Sequence, residues 1–263
     1  MLSVIEVAGV AGGLVGVLIC LVVTVTVLSK LSGDDDGPPA CVVEDRRGRA
    51  VLDARRHPLV TVEADQVRVE SRLVSGQVFC PDCLGALRPW GWARPRGVHG
   101  VVGVLHPRRA RCPVCLVTHV LLPVTVLLRR AYAVEVIGAA LVARAGGSGH
   151  RVIGLALGVP AATVRGWLRV MGARLERVRT WLLQVAHRAG VDQAVPKALG
   201  SAWRDVLAGL GAASRAVTGR FGVFGVLGPV TAWQVAAACS AGRLLSPGWP
   251  PRGAGSPGTT SRL

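Results

Sequence analysis

The sequence predicts a mainly α-helical fold that carries one small β-structured module. Two observations indicate this: paired C-P-x-C motifs beginning at Cys80 and Cys112, and apolar residues at three- and four-residue steps around Gly158. Paired C-x-x-C motifs are typical of small sheets folded around a metal ion, and the second pattern is typical of packed helices. The uncharged run from Val7 to Ser29 adds a candidate single N-terminal transmembrane helix.

Length and charge limit the function classes. A chain of 263 residues holds one or two small domains and is too short for a large multidomain enzyme. Its 31 lysines and arginines outnumber 15 acidic residues, and only Lys30 and Lys197 are lysines. The formal charge of +16 favours nucleic acid as a partner first and an anionic membrane second. Seven cysteines, an odd number, argue against a secreted disulfide framework and favour a reducing compartment.

The cysteine pairs predict a structural zinc site, held by Cys80, Cys83, Cys112 and Cys115. Each C-x-x-C lets two thiolates reach one ion from a tight turn, and the two pairs complete a tetrahedral four-sulfur shell. Because that shell is closed, one Zn²⁺ per chain would stabilise the fold and perform no hydrolysis. We expect Gly85 to supply a positive φ after the first turn. His119 is an alternative ligand, and a redox C-x-x-C lacks its usual βαβ context.

Arginines and tryptophans fill the segment between the cysteine pairs. Arginine beside exposed aromatic rings suits phosphate contact and base stacking, so this segment is a candidate nucleic-acid surface. The alternative is that at least one of Trp90 and Trp92 forms the small core of the ribbon. The candidate contacts are Arg94, Arg96, Arg108, Arg109 and Arg111.

The pattern around Gly158 predicts a helix-turn-helix. With Gly158 as the turn glycine, Gly154 takes the small position where the two helices cross, and Pro160 begins the second helix. The positions that must be apolar for the helices to pack are then occupied by Ile153, Leu157, Val159, Val164 and Trp167. An ordinary αα-hairpin that only packs is the alternative interpretation.

In this register the second helix presents its outward face to the major groove of double-stranded DNA. Arg165 is the first choice for a base contact because arginine pairs bidentately with guanine. Thr163, Arg169 and Arg151 suit the phosphate backbone. The complete set of predicted contacts is Ala161, Ala162, Thr163, Arg165, Arg169 and Arg151. An apolar stripe from Leu168 to Val185 follows and predicts a packing helix or a homodimer helix.

Composition divides the chain into six parts. Residues 32–58 show no periodic spacing of apolar residues and are predicted to be a linker, and a tail at 246–263 is predicted to be disordered. The folded parts are a zinc ribbon at 59–125, beginning with a strand at Leu59–Val62, and a helix-turn-helix with its following helix at 126–190. A C-terminal helical region spans 191–245. Helical period is strong over Arg130–Ala145 and Thr163–Ala189, whereas Ala64–Val74 fits neither a helix nor a strand.

The first part, the apolar segment at 1–31, has three interpretations. It is long enough for a membrane helix through residues 7–28, since roughly 20 apolar residues span a bilayer core. The arginines that follow it would then place the remaining chain in the cytoplasm, anchored to the inner face of the cell membrane. The other interpretations are a misassigned translation start and a helix buried in protein.

Four stretches of the sequence carry a family resemblance: CPDCLGALRPWGWAR, RRARCPVCLVTHVLLPVTVLLRR, VEVIGAAL and LGVPAATVRGWLR. They resemble an uncharacterised actinobacterial family of unknown function, with a transposase-like zinc ribbon followed by a helix-turn-helix. The likeness runs from about Val62 to Leu245 and excludes residues 1–58. It implies zinc on the four paired cysteines and DNA on the second helix of the motif, with no demonstrated activity.

No catalytic centre is expected. Transposases of the common acidic type need three carboxylates that hold two metal ions, and after the helix-turn-helix only Glu176, Asp192 and Asp205 are acidic. We therefore expect no enzyme but a cytoplasmic DNA-binding protein similar to the recognition part of insertion-sequence transposases. The alternative is a membrane-tethered transcriptional regulator that carries the same module.

Overall fold

The computed structural model describes residues 59–190, 195–221 and 230–250. The predicted membrane segment and linker, residues 1–58, lie outside this part of the chain. No helix within the described ranges is long and apolar enough to cross a membrane. The described residues form a mixed sheet followed by helices, which agrees with a mainly α fold carrying a small β module.

The N-terminal part is a four-stranded mixed sheet with one helix and one small hairpin. Its elements are β1 (Leu59–Val62), α1 (Gln66–Val74), β2 (Arg88–Trp92), β3 (Arg96–Gly97), β4 (Val104–Leu105), β5 (Arg108–Arg111) and β6 (Thr118–Pro123). The strand order is β1-β6-β5-β2, and β3 pairs separately with β4. β1 runs parallel to β6, whereas β5 pairs antiparallel with both β2 and β6. The strand predicted at Leu59–Val62 is present.

Helix α1 lies in the segment that the apolar pattern left unassigned. Asp65 caps it by accepting hydrogen bonds from the backbone N–H groups of Val67 and Arg68. Only Val69 and Leu73, four residues apart, are buried against the sheet. The other valines of the segment point to solvent, which explains why its period fits no single template.

One face of the sheet and α1 enclose a small core that includes two of the predicted metal ligands. Leu73, Leu87 and Leu121 are fully buried there together with Cys80 and Cys112. The first cysteine of each turn is therefore part of the hydrophobic core of this module.

The described residues of the C-terminal part form six helices. They are α2 (Val134–Ala145), α3 (His150–Leu157), α4 (Ala161–Gly172), α5 (Leu175–Ala189), α6 (Ala202–Phe221) and α7 (Ala232–Cys239). α5 packs most extensively against α6, and α7 contacts α2, α6 and β1. A single core cluster extends through all six helices, and α7 joins this core to the sheet.

The helical period over Thr163–Ala189 covers two helices, because Ala173 and Arg174 form a short turn between α4 and α5. The apolar stripe crosses this break. Its members Met171, Val178, Leu182 and Val185 are buried within this chain. These residues of the stripe therefore pack within the chain, where α5 lies against α6.

The start of the predicted disordered tail, residues 246–250, packs against the helices, so that part of the prediction is wrong. Trp249 is 7% exposed, and its ring meets that of Trp181 edge to face at 4.8 Å between centroids. Arg174 donates hydrogen bonds to the carbonyl groups of Ser246 and Trp249. Burial of Trp249 and the hydrogen bonds from Arg174 hold this segment against the helices despite its Pro and Gly content. Residues 251–263 lie outside the described residues.

Candidate metal centre and basic surfaces

The two C-P-x-C turns have the same backbone geometry. The N–H groups of Cys80 and Cys112 donate to the carbonyl groups of Gly85 and Val117, five residues ahead, at 2.9 Å in both turns. The residue directly after each pair adopts the left-handed conformation, with φ of 59° at Leu84 and 60° at Leu116. The expectation of a positive φ at Gly85 is wrong.

Gly85 has a different role, which is to let the second turn approach the first. A Cβ atom at Gly85 would lie 2.9 Å from Val114 Cγ2 and 3.2 Å from Cys112 Sγ. Both distances are shorter than ordinary van der Waals contact between carbon and carbon or sulfur. A glycine at this position therefore keeps room for the thiol of the opposite turn.

The four sulfur atoms form one cluster. Cys80 Sγ lies 3.6 Å from Cys115 Sγ, and Cys83 Sγ lies 3.3 Å from Cys112 Sγ. All four ligand atoms lie within 4.8 Å of one another. The cluster could hold a metal ion, as the paired motifs predicted.

His119 adds an imidazole to the edge of this cluster. It lies on β6, is fully buried, and places Nε2 3.4 Å from Cys80 Sγ. It also forms a second group of potential ligands with Cys80 and Asp82. His119 is therefore a further potential ligand beside the four sulfurs. His99 contacts Tyr132 and His106 contacts Trp92, so their rings have other neighbours.

Burial acts on the protonation of these thiols. It raises the pKa of Cys80 and Cys83 above the ordinary value of a thiol, since a thiolate loses solvation there. Burial acts in the same direction at Cys112, but hydrogen bonds from the backbone of Cys115 and from the Cys83 thiol lower its pKa overall. A cation that binds all four sulfurs must therefore displace protons.

Both tryptophans between the cysteine pairs are exposed, so neither forms a core for the sheet module. Trp90 is 54% exposed and Trp92 is 42% exposed. The guanidinium of Arg111 lies 4.6 Å from the ring centroid of Trp90, and that of Arg108 lies 4.6 Å from that of Trp92.

The five predicted arginine contacts of the sheet module do not form one uniform surface. Arg94 and Arg109 are exposed, and Arg96 is partly buried. Arg108 forms a 2.5 Å ion pair with Glu70, while Arg111 donates to the Leu116 carbonyl. Arg94 and Arg109 are thus the more available cations, because Arg108 has a carboxylate partner.

Helices α3 and α4 pack as the sequence register requires. Ile153, Val159, Val164 and Trp167 are at most 4% exposed, and Leu157 is partly buried against them. Gly158 ends α3 with φ of 63°, a conformation that glycine adopts without strain. Gly154 lies where the helices cross, since a Cβ there would be 2.7 Å from the Val159 carbonyl oxygen.

The predicted DNA contacts on and before α4 are mostly accessible. Ala162, Arg165, Arg169 and Arg151 are exposed, whereas Ala161 and Thr163 are partly buried. The backbone of Ala161 lies against Gly154, which limits what its side chain could reach. Pro160 caps α4, whose first residue is Ala161.

Arg165 and Arg169 share an open cleft of about 490 Å³ with residues from three other helices. Its walls are formed by Arg144, Gly149, His150, Arg165, Leu168, Arg169, Gly172 and Trp203. Sequence reasoning missed Arg144 and Trp203, which precede and follow the motif. Arg144 and Trp203 reach the cleft only because α2 and α6 pack around α4.

Comparison with known proteins identifies no relative of this chain. No family model, curated protein or solved structure matches it. The family resemblance inferred from the four sequence stretches therefore stays a prediction.

Proposed function

We propose that this chain is a zinc-containing, sequence-reading DNA-binding protein without a catalytic domain of its own, similar to the recognition part of a transposase. The observation that carries the proposal is the pairing of α3 and α4 around Gly158, which leaves Arg165 and Arg169 exposed on α4. Short helix pairs of this type present their second helix to the major groove.

The proposed metal is one structural Zn²⁺ on Cys80, Cys83, Cys112 and Cys115. Zinc–sulfur bonds of about 2.3 Å in a tetrahedron separate neighbouring sulfurs by about 3.8 Å. The distances of 3.6 Å and 3.3 Å are close to that value, so the sulfurs need only small adjustments. When bound, zinc would supply a cross-link between the two turns that this small core otherwise lacks.

The charge of the exposed helix face favours DNA over a protein partner. Arg151, Arg165 and Arg169 have no ion-pair partner within the part of the chain that the structure describes. Guanidinium groups that project from one face of a helix suit phosphate oxygens and guanine edges. An αα-hairpin that only packs has no need of unpaired arginines on its outer face.

The roles of the two arginines on α4 differ in the proposal. Arg165 lies one turn into the helix and is assigned to a base. Arg169 lies one turn further and, beside Arg144, is assigned to the phosphate backbone. The difference between the two roles makes the proposal testable with matched variants on one helix.

The test is to select a preferred duplex from random DNA with the full-length chain in the presence of zinc, then to compare Arg165→Ala with Arg169→Ala. Arg165→Ala should lose about 1–3 kcal/mol at the preferred site and relax preference at one base pair. Arg169→Ala should weaken binding to every duplex alike and reduce the salt dependence of the affinity.

Arg179→Ala is the matched control, because Arg179 lies on α5 and pairs with Glu176. It should bind both the selected and the random duplex as the unaltered protein does. If Arg165→Ala also binds as the unaltered protein does, α4 does not enter the groove and the proposal is wrong.

A second candidate is a membrane-tethered regulator with the same DNA-binding part. The uncharged run from Val7 to Ser29 favours it. The two candidates share every residue of the proposed DNA and zinc sites. They differ only in where the protein resides, so cell fractionation separates them.

A further inference from the structure

The cleft beside α4 has a composition that a simple groove-reading helix does not require. Arg144 comes from the last turn of α2, and His150 from the first turn of α3. Arg165 and Arg169 come from α4. Three arginines and one histidine thus line one concave surface.

This positive charge is uncompensated. No acidic residue is among those that line the cleft, and Arg144, Arg165 and Arg169 form no ion pair within the described ranges. Gly149 precedes α3 and supplies no capping side chain to the first N–H groups of that helix. Together these groups favour an oxyanion with several acceptor oxygens, such as a phosphate.

Trp203 makes the cleft suitable for more than a phosphate. Its partly buried indole forms one wall, and the Arg144 guanidinium lies 6.0 Å from the ring centroid. Indole rings stack on nucleobases. A volume of about 490 Å³ lies within the range of small-molecule sites and exceeds what a phosphate alone would fill.

We propose that this cleft binds one unpaired nucleotide, with its phosphate between Arg144 and Arg169 and its base against Trp203. The source of the nucleotide that fits the proposed function is the unpaired end of a DNA duplex bound by α4, and in this respect the inference rests on that function. A free nucleoside monophosphate has the same chemistry and is the other source.

The experiment compares three ligands with the full-length chain in zinc: a blunt duplex, the same duplex with one unpaired 5′-phosphorylated adenosine, and free deoxyadenosine 5′-monophosphate. The unpaired nucleotide should tighten binding roughly 5- to 100-fold relative to the blunt duplex. Trp203→Leu should remove this gain and leave the affinity for the blunt duplex within about a factor of two.

Two further variants separate a local effect from misfolding. Arg144→Gln removes an exposed guanidinium of the cleft and should also reduce the gain, whereas Trp90→Leu should preserve it because Trp90 lies on the sheet. Tryptophan fluorescence of the unaltered protein tests the other source. If the free nucleotide quenches this fluorescence in the unaltered protein but not in Trp203→Leu, and the unpaired end gives no gain in affinity, the ligand of the cleft is a free nucleotide.

The inference is wrong if the unpaired nucleotide does not tighten duplex binding and the free nucleotide does not quench the fluorescence, even if the blunt duplex binds normally. Failure of any duplex to bind instead contradicts the proposed function, and the free nucleotide then still decides whether the cleft is a nucleotide site.

Discussion

Two glycines on adjacent helices should respond in opposite directions to the same substitution. Gly154 lies inside α3 at the crossing with α4, whereas Gly166 lies inside α4, where a Cβ atom would meet nothing within 4 Å. At Gly154 the new Cβ would be 2.7 Å from the Val159 carbonyl oxygen and 3.2 Å from Ala161 Cα. Both neighbours are backbone atoms, so the turn itself must move.

The magnitude follows from two opposing effects. Alanine is favoured over glycine inside a helix by about 1 kcal/mol. Overpacking typically costs about 1–3 kcal/mol, and a backbone obstacle belongs in the upper part of that range. Gly154→Ala should therefore destabilise by about 1–2 kcal/mol, whereas Gly166→Ala should stabilise by about 0.5–1 kcal/mol.

The assay is urea unfolding of the full-length chain with saturating zinc, followed by far-ultraviolet ellipticity, which reports the helices. Gly154→Ala should also weaken duplex binding, because the crossing angle sets the orientation of α4. If both variants are stabilised to the same extent, α3 and α4 do not cross at Gly154 and the proposed motif geometry is refuted.

Three further outcomes are expected. The purified chain should contain one equivalent of zinc. This zinc should be lost when Cys112 and Cys115 are replaced by Ser and kept in Cys239→Ser. The apparent affinity of the chain for zinc should fall as pH falls, because zinc binding displaces thiol protons. Less than half an equivalent in the unaltered protein would contradict this. If it is translated, the segment Val7–Leu28 should hold the full-length chain in the membrane fraction through a carbonate wash, and recovery in the supernatant would favour a misassigned start. Trp249→Ala should cost about 3 kcal/mol in thermal or urea unfolding, since it removes a buried indole, and a loss below about 0.5 kcal/mol would show that residues 246–250 are not packed.

Local signals were sufficient for the cysteine cluster and for the α3–α4 register. A C-x-x-C turn brings two thiols together through backbone geometry alone, so the two motifs indicated the ligands before their distance in space was known. The register around Gly158 was predictable for the same reason, since helix period and a left-handed glycine act over a few residues.

Other features depend on contacts between distant parts of the chain, which no local pattern encodes. Helix α1 is stabilised by burying two residues against a sheet most of whose strands come later in the sequence. The spacing of apolar residues within the segment therefore did not predict the helix. Trp249 orders a segment with the composition of a tail because Trp181 lies beneath it. Gly85 is required by the proximity of Val114, which lies far along the chain.

The sequence alone determined the paired thiols, the charge and the helix pair around Gly158, because each of these depends on residue type and short-range geometry. Only the tertiary structure decided which arginines remain available, since Glu70 on α1 pairs with Arg108 on β5. It also decided that Arg144 and Trp203 lie beside Arg165. The packing of α2 and α6 around α4 sets that neighbourhood, and it arises from burial of apolar surface summed over the whole helical core.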